Sequence, residues 1–343
     1  MSPSHAEAHC HAGATVPIPP RRIFLGALAS SASWRNATAQ EGAGGGRIGY
    51  LFSSPQSAVK PLVLSFEQVL TTLGHRLGRD TSIEYRFDIH SPALLRESAR
   101  ELGQRNDVLV VSGTIVAIAA RDVGVRCPVV FAPVGFPVAL GFAQTLRRPG
   151  GNFTGISFEA AEDTYAKRLQ LLKEIDPQIT RVAALGDADD LNIEPSLETL
   201  HRLAPSMKIE VIDFMFRGES DLATAFANMP VKQIHGVVVI AGALAYRNSA
   251  SLSKLAMQYR LPSIHGFKEA VASGGLMSLG PDLAAIAGQA ARYVHLILRG
   301  TVAAEIPVEQ PSRYEFGLNI KTARALGLSV PSSLLARADF IVE

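Results

Sequence analysis

The sequence predicts an α/β protein built from two doubly wound lobes, each a parallel sheet with helices on both faces. Three observations support this fold class. From Arg47 onward, short apolar runs alternate with stretches of helical periodicity. The alternation is interrupted by the turn-rich stretch RRPGGNFTGIS and then starts again. The length of 343 residues is typical of a chain with two domains.

The first series of elements runs from Arg47 to the interruption. Short apolar runs bounded by turn residues predict strands, and stretches of 3.6-residue periodicity predict helices. Pro61 suits a first helical position because of its fixed φ. The predicted strands are RIGYLF, TSIEYRFD, VLVVS and PVVFAP; the predicted helices run from near Pro61 to Leu73, from Pro92 to Leu102, and onward from Ser112-Gly113-Thr114.

The second series has the same order of elements without sequence similarity to the first. Its predicted strands are RVAALG, KIEVIDFM, HGVVVIAG and LPSIHG; its predicted helices are Thr164–Ile175, Glu194–Leu203, Ser220–Asn228 and Asn248–Tyr259. The series is followed by a predicted strand in GGLMSLGPD and a predicted helix from Leu283 to Leu298. The chain then crosses between the lobes again over Ile306 to Asn319. We expect a first lobe of 46–152 plus 276–306 and a second of 153–275 plus 307–343, joined by three crossings that form a hinge.

Composition and charge exclude several classes of function. The chain is 47% hydrophobic and 19% charged, with a net charge of +2 and no basic stripe, so no nucleic-acid partner is expected. The two cysteines, Cys10 and Cys127, form neither a metal-ligand cluster nor a disulfide framework. We expect neither a metal nor another cofactor.

The first 45 residues differ from the rest and have features of an export signal followed by a linker. Arg21-Arg22 precede an apolar run that is too short to span a bilayer, and the phrase Arg-Arg-x-Phe-Leu resembles a twin-arginine signal. Ala37-Thr38-Ala39 is an A-x-A pattern suited to cleavage before Gln40. The interpretation is a soluble protein exported to the periplasm; the alternative is a disordered N-terminal tail.

The body of the chain resembles the substrate-binding proteins of ATP-driven importers, in the group that includes tryptophan- and tyrosine-binding members. The phrases that carry the resemblance are RPGGNFTG, KRLQLLKEIDPQITRVAAL, GGLMSLGPD, LNIKTARALGL and PSSLLARAD, together with IGYLFSS and SFEQVLTTLG near the start. They occur in order and cover almost everything after residue 46. The resemblance implies a type I periplasmic binding protein fold, a ligand in the cleft, and a membrane permease and its ATPase subunit as partners.

The predicted ligand site lies at the loops that follow the strands, because ligands of open α/β sheets bind beyond the carboxyl ends of the strands. The helix that opens at Gly113-Thr114 offers unpaired N–H groups, which we expect to bind the carboxylate of a small molecule. The alternative is that Ser112 and Thr114 only cap this helix. The candidate contact residues are Ser53, Ser54, Ser112, Gly113, Thr114, Val134, Gly135, Phe136, Asp187, Ala241, Tyr246 and His265.

Two departures from the family pattern bear on the ligand. Family members often carry an acidic residue where this chain has Phe136, and another after the strand that here leads into Gly242. Fewer anions are then available to pair with an ammonium group, and an unpaired buried charge is costly. We therefore expect a carboxylated or neutral, partly apolar or aromatic ligand rather than a free amino acid. Asp187 and Asp189 remain candidates for an ammonium partner.

Two other classes of function stay open at this point. An enzyme is disfavoured because the chain has no nucleophile elbow, phosphate-binding glycine loop or metal-binding histidine spacing. A ligand-sensing regulator of the same fold would need a DNA-reading head, and the first 45 residues contain no such pattern. We expect a monomeric binding protein without catalytic activity.

The export interpretation predicts a mature chain that begins at or near Gln40. N-terminal sequencing of protein isolated from the periplasm tests it, and a cytoplasmic protein that retains Met1 would contradict it.

Overall fold

The computed structural model describes residues 45–158, 161–311 and 314–343. The predicted export signal, its Cys10 and its cleavage site lie outside these residues. Within the described ranges, no helix has both the length and the apolar character that crossing a membrane requires.

The first sheet has five parallel strands in the order β2-β1-β3-β4-β5. The central strands are apolar and fully buried, because helices cover both faces of the sheet. Its strands are β1 Gly46–Phe52, β2 Thr81–Arg86, β3 Val108–Ser112, β4 Val129–Val134 and β5 Phe153–Ser157, with helices α1 Gln56–Thr72, α2 Pro92–Arg105 and α3 Thr114–Asp122 between them.

The second sheet has seven strands in the order β12-β11-β10-β9-β8-β6-β7. Its strands are β6 Arg181–Asp187, β7 Glu210–Phe216, β8 Gly236–Val239, β9 Ser263–His265, β10 Met277–Pro281, β11 Tyr314–Asn319 and β12 Phe340–Val342. All neighbours are parallel except β10 and β11, which are antiparallel. The sheet therefore departs at this pair from the all-parallel arrangement expected from the sequence.

The remaining helices lie in the second half of the chain. They are α4 Ala161–Ile175, α5 Ile193–Leu203, α6 Glu219–Asn228, α7 Ala243–Arg247, α8 Ser249–Gln258, α9 Lys268–Ala272, α10 Leu283–Leu298, α11 Ile320–Leu326 and α12 Ser332–Arg337, with short 3-10 turns at Ala204–Met207 and Ala303–Glu305. Helix α10 returns to the first sheet, where its apolar face shares one core with α1.

The structure thus has a lobe 1, residues 45–158 and 283–311, and a lobe 2, residues 161–281 and 314–343. This division differs from the boundaries expected at 152/153, 275/276 and 306/307, the last because Val308 packs in the core of lobe 1. Phe153–Ser157 is the last strand of the first sheet, and Met277–Pro281 belongs to the second sheet. The turn residues around Gly150-Gly151 mark the loop before β5, and not the crossing itself. An apolar run does not reveal which of two sheets it joins.

One helix begins earlier than the sequence predicts. Helix α1 starts at Gln56, so that Pro61 lies inside it and not at its first position. The buried residues Val59, Leu62 and Phe66 fix this start, since they already follow the spacing of one helical face. Burial of that face against α10 outweighs the lost N–H of the proline.

The crossings are held by contacts close to the hinge. Asp282, between β10 and α10, caps α10 by accepting hydrogen bonds from the N–H groups of Ala284 and Ala285 at 2.9 and 3.2 Å. Its other oxygen lies 3.2 Å from the ammonium of Lys268, which also donates to Glu315 of β11 at 2.8 Å. Lys268 of lobe 2 therefore bonds to one residue at each of two crossings, Asp282 before α10 and Glu315 in β11.

Candidate ligand-binding site

A cavity lies between the lobes, at the carboxyl ends of the parallel strands of both sheets. It has about 630 Å³ of space between atoms, a volume that includes space open to solvent. Its wall is formed by Phe52, Ser53, Ser54, Val59, Leu62, Ser112, Gly113, Thr114, Ile115, Pro133 and Leu283 of lobe 1, Phe158 at the crossing, and Asp190, Asn192, Gly242, Ala243, Tyr246 and Phe267 of lobe 2.

One corner of the cavity is the N-terminus of α3. Gly113 occupies the N-cap position with a φ of 95°, a left-handed conformation that favours glycine. Among the described residues no side-chain hydrogen bond caps this helix, so neither Ser112 nor Thr114 has the capping role considered as an alternative. The first-turn N–H groups and the helix dipole therefore make this corner suited to an anion.

A polar contact joins the lobes beside this corner. The side-chain amide of Asn192, from the loop after β6, donates through Nδ2 to Oγ1 of Thr114 at 2.8 Å. The backbone N–H of Gly135, from the loop after β4, donates to the same oxygen at 3.2 Å. Asn192 and Thr114 are 3% and 6% exposed, so this bond is shielded from water.

Another part of the cavity wall is aromatic. Phe158 stacks on Phe267 with ring centroids 5.7 Å apart, and Tyr246 meets Phe267 edge-on at 5.3 Å. The hydroxyl of Tyr246 donates across the cleft to the carbonyl of Ala58 in α1 at 3.0 Å. This wall can accept an apolar or aromatic body, while the corner at α3 can accept a charged head.

The carboxylate in the cavity wall is that of Asp190. Its Oδ1 accepts hydrogen bonds from the backbone N–H and the side chain of Asn192, at 2.9 and 2.8 Å. Its Oδ2 lies against Gly242, where an added Cβ would come within 2.6 Å of it. Asp190 thus fills the space beside Gly242 while holding the loop that carries Asn192.

The family model for "ABC transporter substrate binding protein" matches residues 58–342, which is most of the chain. The chain belongs to this family. A tyrosine-binding protein of Clostridioides difficile is 24% identical over 264 residues, covering 77% of this chain and 75% of that protein.

Two solved structures have the same fold. An ABC domain from Streptococcus pneumonia in complex with L-Trp has a TM-score of 0.81 at 20% identity, covering 87% of this chain and all of that one. A conserved domain protein from Vibrio cholerae has a TM-score of 0.80 at 23% identity, covering 86% and 99%. These matches confirm the expected resemblance to tryptophan- and tyrosine-binding importer components. They also confirm the expected two-lobed periplasmic binding protein fold.

The structure brings half of the expected contact residues of this family member to the cavity wall. These are Ser53, Ser54, Ser112, Gly113, Thr114 and Tyr246. Ser53 and Ser54 follow β1, Ser112 to Thr114 span the end of β3 and the start of α3, and Tyr246 lies in α7, which follows β8. A small or polar residue at the end of a buried strand was the signal that identified the first five.

The other expected residues of lobe 1 lie just behind the wall. Val134 is buried in lobe 1 and pairs with Ser157 of β5. Gly135 does not line the cavity but faces Asn192 and contacts Thr114 through its N–H. Phe136 is half-buried with a φ of 45° and begins the turn that ends at Leu140. The bend after β4 directs this segment past the cavity.

In lobe 2, Asp187, Ala241 and His265 also lie outside the wall. Asp187 accepts a hydrogen bond from the N–H of Asp189 at 3.0 Å, and burial raises the pKa of its carboxyl. Ala241 is buried in the core shared with lobe 1. His265 is 3% exposed and contacts the hydroxyl of Ser263 at 3.1 Å within lobe 2.

The wall residues that sequence reasoning missed include the polar pair Asp190 and Asn192 and the aromatic pair Phe158 and Phe267. Asn192 occupies the N-cap position of α5, where asparagine is common for a local reason. It makes no capping bond, and its side chain reaches lobe 1 instead. Nothing in the sequence distinguishes these two uses of an asparagine at a helix start.

The buried imidazole of His265 predicts acid sensitivity. Burial, with a smaller contribution from Arg168, lowers the pKa of His265 from 6.5 to about 4. Between pH 6.5 and about 4, His265 binds a proton in the unfolded chain but stays neutral in the folded chain. The free energy of unfolding is therefore highest above pH 6.5 and decreases as the pH falls towards 4. By pH 5 the loss reaches about 2 kcal/mol.

We expect the His265→Gln variant to lose less stability than the unmodified protein between pH 8 and pH 5 in urea unfolding. His235→Gln, which changes an exposed histidine, is the matched control and should behave as the unmodified protein. Equal pH dependence in all three proteins would contradict the assignment.

Proposed function

We propose that this chain is the extracytoplasmic solute-binding component of an ABC import system. It captures a small carboxylated molecule with an apolar or aromatic body between the lobes and, as a monomer, delivers it to a membrane permease driven by an ATPase subunit. No catalytic step on the ligand belongs to this role. The family supplies the link to transport, and the cavity supplies the character of the ligand.

The proposed ligand class rests on one observation: the same cavity has an anion-binding corner at α3 and an aromatic part of its wall. The uncapped N-terminus of α3 supports a carboxylate, to which backbone N–H groups donate charge-assisted hydrogen bonds. Phe158, Phe267 and Tyr246 support a flat apolar body at the aromatic part of the wall. The relatives named above as tyrosine-binding or in complex with L-Trp support a ligand of this size.

A free amino acid is disfavoured by the state of the acidic groups. Position 136 is a phenylalanine and position 242 a glycine. Asp190 lines the wall, but its Oδ1 already accepts two hydrogen bonds from Asn192. An ammonium group would therefore have to share Asp190 with Asn192, whereas the loss of a dedicated buried pair costs about 2–5 kcal/mol.

Calorimetry on phenylalanine and its des-amino analogue, 3-phenylpropionate, tests the ligand class. We expect 3-phenylpropionate to bind about thirtyfold more tightly or better. An advantage of tenfold for phenylalanine would contradict the preference and would point to Asp190 as the ammonium partner, which Asp190→Asn then checks.

Replacing Thr114 with Pro tests the carboxylate position, because it removes both an N–H from the first turn of α3 and the hydroxyl that contacts Asn192, and it should abolish most binding. Glu219→Pro is a matched control, since Glu219 follows Gly218 at the start of α6 as Thr114 follows Gly113 in α3. The control should bind normally. If both variants bind as the unmodified protein does, the carboxylate does not lie at α3.

A further inference from the structure

The side chain of Asn192 has one polar atom that the protein leaves without a partner. Its Nδ2 donates to Thr114 Oγ1 and to Asp190 Oδ1, both at 2.8 Å. The acceptor on Asp190 fixes the orientation of the amide, because exchanging its N and O atoms would place two acceptors against each other. Oδ1 is buried and receives no hydrogen bond from the described residues.

The hydroxyl of Thr114 has the complementary property. Its oxygen accepts from Asn192 Nδ2 and from the N–H of Gly135, which uses both of its lone pairs. The hydroxyl hydrogen must then be donated elsewhere, and within the described residues Thr114 has no recorded acceptor. Because Thr114 lines the cavity at the start of α3, a ligand can receive this hydrogen.

The amide of Asn192 and the hydroxyl of Thr114 lie side by side where the two lobes contact each other. Gly135 of lobe 1 lies so close to Asn192 that an added Cβ would come within 2.5 Å of Oδ1. The loop of Asn192 is fixed in turn by Asp190. One unused donor and one unused acceptor therefore belong to residues of opposite lobes that both line the cavity, and each of these residues is more than nine-tenths buried.

We propose that Asn192 selects ligands that carry a neutral hydrogen-bond donor next to the carboxylate, as a 2-hydroxy carboxylate does. The carboxylate accepts from the Thr114 hydroxyl and the N–H groups of α3, and the 2-hydroxyl donates to Asn192 Oδ1. This inference rests on the proposed function and specifies one further feature of the ligand, a hydrogen-bond donor beside its carboxylate. A ligand without the hydroxyl leaves Oδ1 buried and unpaired, which lowers affinity by about tenfold or more.

The hydroxyl is a better match than an ammonium group at this position. Asn192 Oδ1 is a neutral acceptor that can take a single donated hydrogen, whereas an ammonium group brings three hydrogens and a full charge into a buried site. A hydroxyl also has lone pairs, which can accept from Ser53 or Ser54 in the same wall.

The test compares two acids that differ by one hydroxyl, 3-phenyllactate and 3-phenylpropionate, by calorimetry. The unmodified protein should bind 3-phenyllactate at least about tenfold more tightly. In Asn192→Ala the two acids should bind within about twofold of each other, because the acceptor has been removed. Asn106→Ala, at a buried asparagine that bonds only within lobe 1, is the matched control and should keep the preference.

Each other outcome has a definite meaning. Equal binding of the two acids by the unmodified protein overturns the inference and leaves the proposed function intact, and so does a preference that survives in Asn192→Ala. A protein that binds neither acid contradicts the proposed ligand class and removes the basis of the inference. If Asn192→Ala fails to fold, Asn192→Ser replaces it, since serine suits the N-cap of α5 but is too short to reach Thr114.

Discussion

The spacing of the two lobes depends on the contact between Asn192 and Thr114. Both side chains are almost completely buried, and the bond joins the loop after β6 of one sheet to the helix start after β3 of the other. Because a buried polar group needs a partner, separation of the lobes is acceptable only where water can replace the lost bond. The geometry of the cleft follows from this constraint, since Gly135, Asp190 and the start of α3 are all positioned around the same pair.

The other contacts across the cleft are individually weak. Tyr246 donates to the carbonyl of Ala58, and such a bond contributes about 1 kcal/mol net. Arg247 donates to Nδ1 of the exposed His90 at 2.7 Å, and an exposed contact of this kind contributes less than about 1 kcal/mol. Ala241 and Phe267 of lobe 2 add apolar contacts with the core of lobe 1. A ligand that touches both lobes adds contacts of its own and can shift the population towards the closed form.

The sequence predicted the fold better than the division between the lobes. Alternating apolar runs and helical stretches identified the strands and helices, because each buried element carries its own periodicity. The positions of β5 and β10 were misassigned, since the sheet that a strand joins depends on long-range pairing. Of the site, the hydroxyls after β1 and β3 were predictable from their place at strand ends. Asn192 was not, because its contact with Thr114 exists only once two lobes have formed.

The central claim is that ligand binding brings the lobes together. Small-angle X-ray scattering with and without a saturating concentration of the most tightly bound acid tests it most directly, because hinge closure changes the overall dimensions without changing the fold. The account predicts a smaller radius of gyration in the bound protein. An unchanged scattering profile at saturation would contradict it.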